Sequence, residues 1–109
     1  MNKRKYELFF YNVIRDLGFF GWKLEWYDKS SEGYCWRNRR VINIGPENAN
    51  IKRLMLHEIA HINTCLNTNV PHCSEFWLRF EKLLNKYLPN TLLSDSDKYI
   101  KKLYNKIDR

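Results

Sequence analysis

Two histidines and a glutamate in the segment 57–61 are the residues whose types and spacing most clearly predict chemistry. His57, Glu58 and His61 form an H-E-x-x-H motif. Residues four apart lie on one face of a helix, so both imidazoles can reach a single ion. Glu58 is rotated by about 100° from His57, which lets it take a proton from a water on that ion. Zinc in such a site lowers the pKa of the water to about 7 and polarises a peptide carbonyl.

A third ligand is expected, because a catalytic zinc site usually has three protein ligands and one open position for water. His72 is the remaining histidine of the three in the chain, and it follows His61 after a turn. Glu75 and Glu81 are alternative ligands, since some proteases complete the site with a glutamate. Cys73 is a weaker alternative, because a thiolate would reduce the Lewis acidity of the zinc. We predict one Zn²⁺ per chain.

The elements that must position these residues are helices and short strands. Hydrophobic spacing and turn residues predict a helix over 6–17, strands over 22–27, 34–36 and 41–44, a helix from 47 or 48 to about 66, a helix from 72–75 to before Pro89, and a helix starting at Ser94. Phe76 and Trp77 are expected in the core rather than in a substrate pocket. The order predicts an α+β fold, in which a small three-stranded antiparallel sheet packs on helices.

The length and composition predict one folded domain. At 109 residues the chain has room for a single modest core, over about 5–90, followed by a helical tail over 94–109. No apolar run approaches the roughly 20 residues that cross a bilayer, so no membrane partner is expected.

The cysteines indicate the compartment. Cys35, Cys65 and Cys73 make an odd count without a C-x-x-C pair. This pattern argues against a disulfide framework and against a cysteine-based zinc ribbon, and it favours a reducing cytoplasm.

The net charge of +7 favours an acidic partner such as nucleic acid. Arg37, Arg39 and Arg40 form the one tight basic cluster. Together with Tyr34 and Trp36 they can form a stacking platform for single-stranded DNA, because cationic and aromatic groups suit unstacked bases. The alternative interpretation is an ordinary sheet edge with a solvated basic turn.

The run 57–61 (HEIAH) followed by the run 70–77 (VPHCSEFW) resembles the SprT-like metallopeptidases, a family that includes the Spartan DNA–protein crosslink proteases. Members pair H-E-x-x-H with a downstream histidine, often after proline. The resemblance implies a minimal zincin-like domain in which His72 is the remaining zinc ligand. The match departs at Cys73, where glycine or serine is common. It also lacks the C-terminal cysteine ribbon of many bacterial members, since no cysteine follows Cys73.

These observations predict a zinc metalloendopeptidase that hydrolyses peptide bonds in protein substrates, with DNA-associated or DNA-crosslinked proteins as candidate substrates. Two alternatives stay open. One is a narrow-specificity regulatory protease of a phage or bacterium. The other is a basic nucleic-acid-binding module whose zinc is structural, with Cys73 or Cys65 as a fourth ligand and no hydrolase activity.

Overall fold

The computed structural model describes residues 1–91 and 93–107. In chain order its elements are α1 (Lys3–Leu17), β1 (Lys23–Trp26), β2 (Gly33–Trp36), β3 (Val41–Ile44), α2 (Ile51–Ala60), α3 (Ser74–Tyr87) and α4 (Asp95–Ile107). The predicted α+β fold and the predicted order of elements are confirmed. The last two positions of the predicted tail, 108–109, lie outside the described residues.

The chain divides into two compact units, Met1–Ile59 and Ala60–Arg109. Each unit has its own set of buried apolar side chains. The prediction of a single domain over 1–109 stays a prediction.

Helix α1 in the first unit has clear signals at both ends. The side chain of Asn2 accepts a hydrogen bond from the backbone N–H of Lys5 at 3.3 Å. Gly18 ends the helix in the left-handed conformation at φ 72°, and its N–H bonds back to the carbonyls of Ile14 and Arg15. The helix buries Phe10, Val13 and Ile14 on one face.

The sheet of the first unit is mixed, so the predicted all-antiparallel sheet is wrong in this detail. Its strand order is β1-β3-β2. β3 pairs with β2 antiparallel and with β1 parallel. The reason is geometric: the chain reverses once between β1 and β2 and again before β3, so β1 and β3 run the same way. β3 is the central strand and all four of its residues are buried, whereas burial alternates along β1 and β2.

Helix α2 is shorter than the predicted span of 47 or 48 to about 66. At its start, the side chain of Asn50 accepts from the backbone N–H of Arg53 at 3.1 Å and caps the first turn. At its end, Asn63 and Cys65 adopt φ of 56° and 59°, which an α-helix cannot continue through. Thr64 donates its hydroxyl to the carbonyl of Ala60 at 2.8 Å. The helix therefore stops one residue before His61.

The second unit contains α3 and α4. Helix α3 buries five apolar residues, Phe76, Trp77, Phe80, Leu83 and Leu84, which confirms that Phe76 and Trp77 belong to the core. Helix α4 begins with a capping box, in which Ser94 and Asp97 each accept a backbone hydrogen bond from the other. Glu81 on α3 forms an ion pair with Lys101 on α4. Across residues 1–91 and 93–107, no helix is long and apolar enough to cross a membrane.

Candidate metal centre

His57 and His61 come from the last turn of α2 and the position immediately after it. The helix ends at Ala60, and His61 starts the turn that follows. The spacing of four residues is kept, because one helical turn still separates the two residues. Both imidazoles are half-buried, which leaves each one open to a small ligand.

In the second unit, His61 and His72 lie together against an aromatic side chain. Their ring centroids are 4.9 Å apart. The ring of Phe76 stacks on His61 at 4.4 Å and 27°, and it meets His72 edge-on at 4.7 Å. Phe76 is fully buried, so it restricts the orientations that the two imidazoles can take.

The donor atoms of His57, His61 and His72 all lie within 4.8 Å of one another. Three imidazoles bound to one tetrahedral zinc ion, with bonds of about 2.0–2.1 Å, have donor nitrogens roughly 3.3–3.4 Å apart. The observed spacing is compatible with one metal ion. Burial lowers the pKa of His72, which favours the neutral ring that a metal ligand must be. The three side chains fit a divalent cation that prefers nitrogen donors.

Glu58 lies beside this donor set and is itself nearly buried. Its residue exposure is 6%, and its Oε2 is 4.0 Å from Nε2 of His57. Burial raises the pKa of this carboxyl to about 8. A carboxyl with a pKa near neutrality can both accept and return a proton at working pH. Its position next to a ligand, rather than among the ligands, is the one that the H-E-x-x-H spacing predicts.

The alternative third ligands all have other roles in the second unit. Glu75 accepts a hydrogen bond from the backbone N–H of Cys65 at 2.7 Å. Glu81 pairs with Lys101. Cys73 is bonded to Cys65. His72 is therefore the remaining third donor among the candidates that the sequence offers.

The structure contains one disulfide, between Cys65 and Cys73, where the cysteine pattern argued against a disulfide framework. Their Cα atoms are 5.9 Å apart, inside the range that a disulfide spans. Counting cysteines cannot reveal this pair, because only the folding of the segment 65–73 brings the two residues together. Of the three cysteines, Cys35 alone has no disulfide partner.

The predicted nucleic-acid-binding residues share one turn. Arg37, Arg39 and Arg40 all lie between β2 and β3 and are exposed. The guanidinium of Arg39 lies 6.0 Å from the ring centroid of Trp36. The rings of Tyr34 and Trp36 are 4.7 Å apart and exposed by 50% and 41%. The cluster is therefore an exposed cation–aromatic surface at the end of an outer strand.

Sequence reasoning missed the contacts that β2 makes with Glu58. A Cβ atom built on Gly33 would lie 3.0 Å from Cγ and 3.1 Å from Oε2 of Glu58. Cys35 is two residues further along the same face of β2. Its thiol pKa is raised to about 12, mainly by burial and then by the charge of Glu58. The alternation of β2 places both residues on one face, but only the tertiary structure reveals that the face meets Glu58.

No family model, curated protein or solved structure matches the chain. The resemblance to SprT-like metallopeptidases therefore stays a prediction, and function has to be inferred from the side chains themselves.

Proposed function

We propose that this chain is a zinc-dependent metalloendopeptidase, with His57, His61 and His72 as zinc ligands and Glu58 as the general base. The observation that carries this proposal is a set of three imidazole donors within 4.8 Å of one another beside a buried carboxylate. A bound zinc ion would supply Lewis acidity, by polarising the scissile carbonyl and lowering the pKa of a coordinated water.

The role of Glu58 follows from its surroundings. Its side chain is only 8% exposed. Burial favours the protonated form, and a nearby cation favours the ionised form. Burial alone raises the pKa to about 8, and a bound cation would act in the opposite direction. Glu58 can then accept a proton from the attacking water and deliver it to the leaving amine.

An extended peptide is the substrate class that the sheet favours. β2 is an outer strand of the sheet, and its first residue, Gly33, lies against the side chain of Glu58. Outer strands have backbone groups free to pair with an added strand. A substrate bound along β2 would therefore run close to the general base. Whether the protease is broad in specificity, or cleaves one regulatory protein, depends on side-chain pockets that β2 alone does not define.

The structural-zinc alternative is weakened by the disulfide. That alternative requires a thiolate of Cys65 or Cys73 as the fourth ligand. Both sulfurs are bonded to each other, so neither can serve while the disulfide is intact. A three-ligand site with one open position is the arrangement of catalytic rather than structural zinc.

Binding of single-stranded DNA is a second candidate function, favoured by the exposed surface formed by Tyr34, Trp36 and Arg39. Stacking on such residues contributes about 1–3 kcal/mol per base. We expect an oligothymidylate to bind more weakly as salt rises, and to lose affinity in Trp36→Ala. Leu8→Ala, which truncates an exposed apolar residue elsewhere in the same unit, is the control. Cleavage stimulated by the oligonucleotide would support a substrate among DNA-associated or DNA-crosslinked proteins.

The predicted cytoplasmic location stays a prediction. The Cys65–Cys73 disulfide is a reason to test it, because persistent disulfides are uncommon in reducing compartments.

The proposal is tested first by zinc content and then by hydrolysis. We expect about one zinc per wild-type chain and a large loss in His72→Ala, with the exposed neighbour Asn69→Ala as a matched control. Cleavage of casein and of a peptide library, read by mass spectrometry, should fall by about 10²–10⁴-fold in Glu58→Gln while zinc is retained. Cleavage of a few library members without casein would indicate narrow specificity. Absence of zinc after reconstitution, or full activity of Glu58→Gln, would overturn the proposal.

A further inference from the structure

The disulfide joins one residue shortly after His61 to the residue directly after His72. Cys65 is four residues after His61, and Cys73 directly follows His72. The bond spans a sequence separation of eight residues, so it closes the loop that carries the chain from the second ligand to the third. The disulfide therefore ties the residue next to His72 to the turn that follows His61.

The Cys65 end of this loop is held by helix α3. The backbone N–H of Cys65 donates to Glu75 at 2.7 Å. One turn further along the helix, the guanidinium of Arg79 donates to the carbonyl of Ile62. Residue exposures of 7% for Cys65 and 3% for Cys73 show that both sulfurs sit inside the second unit. Cys65 is thus a fixed point against which the rest of the loop can be held.

The loop between the cysteines has weaker support of its own. Leu66 is 62% exposed, and the N–H of Val70 makes a local bond to the hydroxyl of Thr68, two residues back, at 3.1 Å. Cys65 also adopts φ of 59°, a left-handed conformation that is unfavourable for a residue other than glycine. Without the disulfide, we expect Cys65 to leave its left-handed conformation more readily and the segment 66–72 to sample more conformations.

We propose that Cys65 and Cys73 are positioning residues for the metal ligand His72, and that the affinity of the three-histidine site for zinc depends on their disulfide. The inference rests on the proposed metal site. Reduction by a dithiol breaks the S–S bond: two electrons and two protons pass to the sulfurs, and the reductant closes to its own disulfide. Two thiols replace the bond, and His72 loses its tie to the anchored turn.

The expected effect is a weaker site rather than an absent one. Closing a loop of this length removes conformational freedom equivalent to at most about 100-fold in an equilibrium constant. Because the contacts of Phe76 with both imidazoles remain, we expect zinc affinity to fall by roughly 10- to 100-fold when the disulfide is lost.

The test compares zinc affinity, by competition with a chromophoric chelator, in the oxidised wild type and in Cys65→Ser/Cys73→Ser. The double serine variant cannot form the bond and adds no thiolate ligands. Cys35→Ser is the matched control, because Cys35 is not disulfide-bonded. The visible spectrum of bound Co²⁺ reports on the number of nitrogen ligands, which a general loss of stability would not change. We expect weaker zinc binding and an altered Co²⁺ spectrum in the double variant alone.

Equal zinc affinity and identical Co²⁺ spectra in the two proteins would overturn this inference and leave the proposed function standing. Failure of the oxidised wild type to bind zinc would instead overturn the proposed function. If the double variant does not fold, the wild type is reduced with dithiothreitol, freed of reductant and titrated with Co²⁺. A Co²⁺ affinity at least about tenfold below that of the oxidised wild type then supports the inference, and an equal affinity overturns it. A new thiolate charge-transfer band would show that the freed cysteines bind metal, which also overturns it.

Discussion

The segments 51–60 and 61–75 position their side chains in different ways. In 51–60, a regular helix with an asparagine cap presents His57 and Glu58, and the backbone conformation is that of any α-helix. In 61–75, the backbone leaves the helix through two residues with positive φ. There Phe76 contacts both His61 and His72, and Cys73, the residue after His72, is disulfide-bonded to Cys65. Local periodicity is enough to position side chains in the first segment, whereas the second depends on contacts between residues distant in sequence.

A truncation of Phe76 should disrupt the second segment most. This ring is fully buried and contacts His61 and His72. We expect Phe76→Ala to lower the free energy of unfolding by about 3–5 kcal/mol, because it leaves a cavity in the core. Urea denaturation measures the change.

The control for Phe76 is Leu78→Ala on the same helix, since Leu78 is 58% exposed and its truncation should stay within about 0.5 kcal/mol. A loss below about 1 kcal/mol in Phe76→Ala would show that this ring contributes little to the packing of the second segment, and the contrast between the two segments would weaken.

The alkylation rate of Cys35 measures how well the face of β2 near Glu58 is buried in the first unit. The pKa of this thiol is raised from 9.0 to about 12. The thiolate is the reactive form, so alkylation by iodoacetamide at pH 8 should be about 10³-fold slower in the native protein than in the unfolded chain. The native rate should rise about tenfold per pH unit towards pH 12.

The raised thiol pKa of Cys35 also makes the stability of the fold depend on pH. Because folding raises the thiol pKa, its contribution is present below pH 9 and is lost as pH rises through the folded value of about 12. Glu58→Gln removes the second cause of the shift, so it should speed alkylation while leaving the larger effect of burial. Native labelling as fast as that of the unfolded chain would show that β2 does not shield this face.

The smallest expected effect concerns Gly33. A methyl group there would lie 3.0 Å from Cγ of Glu58 and from Cδ1 of Leu54, so the carboxylate must shift by a few tenths of an ångström. We expect Gly33→Ala to reduce kcat by about tenfold with unchanged zinc content, because proton transfer depends on such distances.

Glu32→Ala, an exposed neighbour of Gly33, is the matched control and should leave kcat unchanged. A change in zinc content in Gly33→Ala would show that β2 supports the ligands and not only the base, which would revise the division of roles between the two segments.

Much of the fold was predictable because its signals are local. Gly18 ends α1, and Ser94 with Asp97 begins α4, since both devices act within a few residues. The sheet was predicted in its strands but not in its order. Which outer strand pairs parallel with β3 is decided by tertiary packing of three equally short strands. The end of α2 was predicted near residue 66, but the helix ends at Ala60. The sequence did not indicate this, because the left-handed residues Asn63 and Cys65 are not glycines.

By itself, the sequence determined that His57 and Glu58 lie on a helix and that His61 follows one turn later, because residues four apart in a helix lie on the same face. It also limited the candidates for the third metal donor to His72, Glu75, Glu81 and Cys73. Only the tertiary structure decided that Glu75, Glu81 and Cys73 have other partners, and that Gly33 lies against Glu58. The physical reason is that these contacts join residues far apart in the chain, where spacing carries no information and packing alone selects the neighbours.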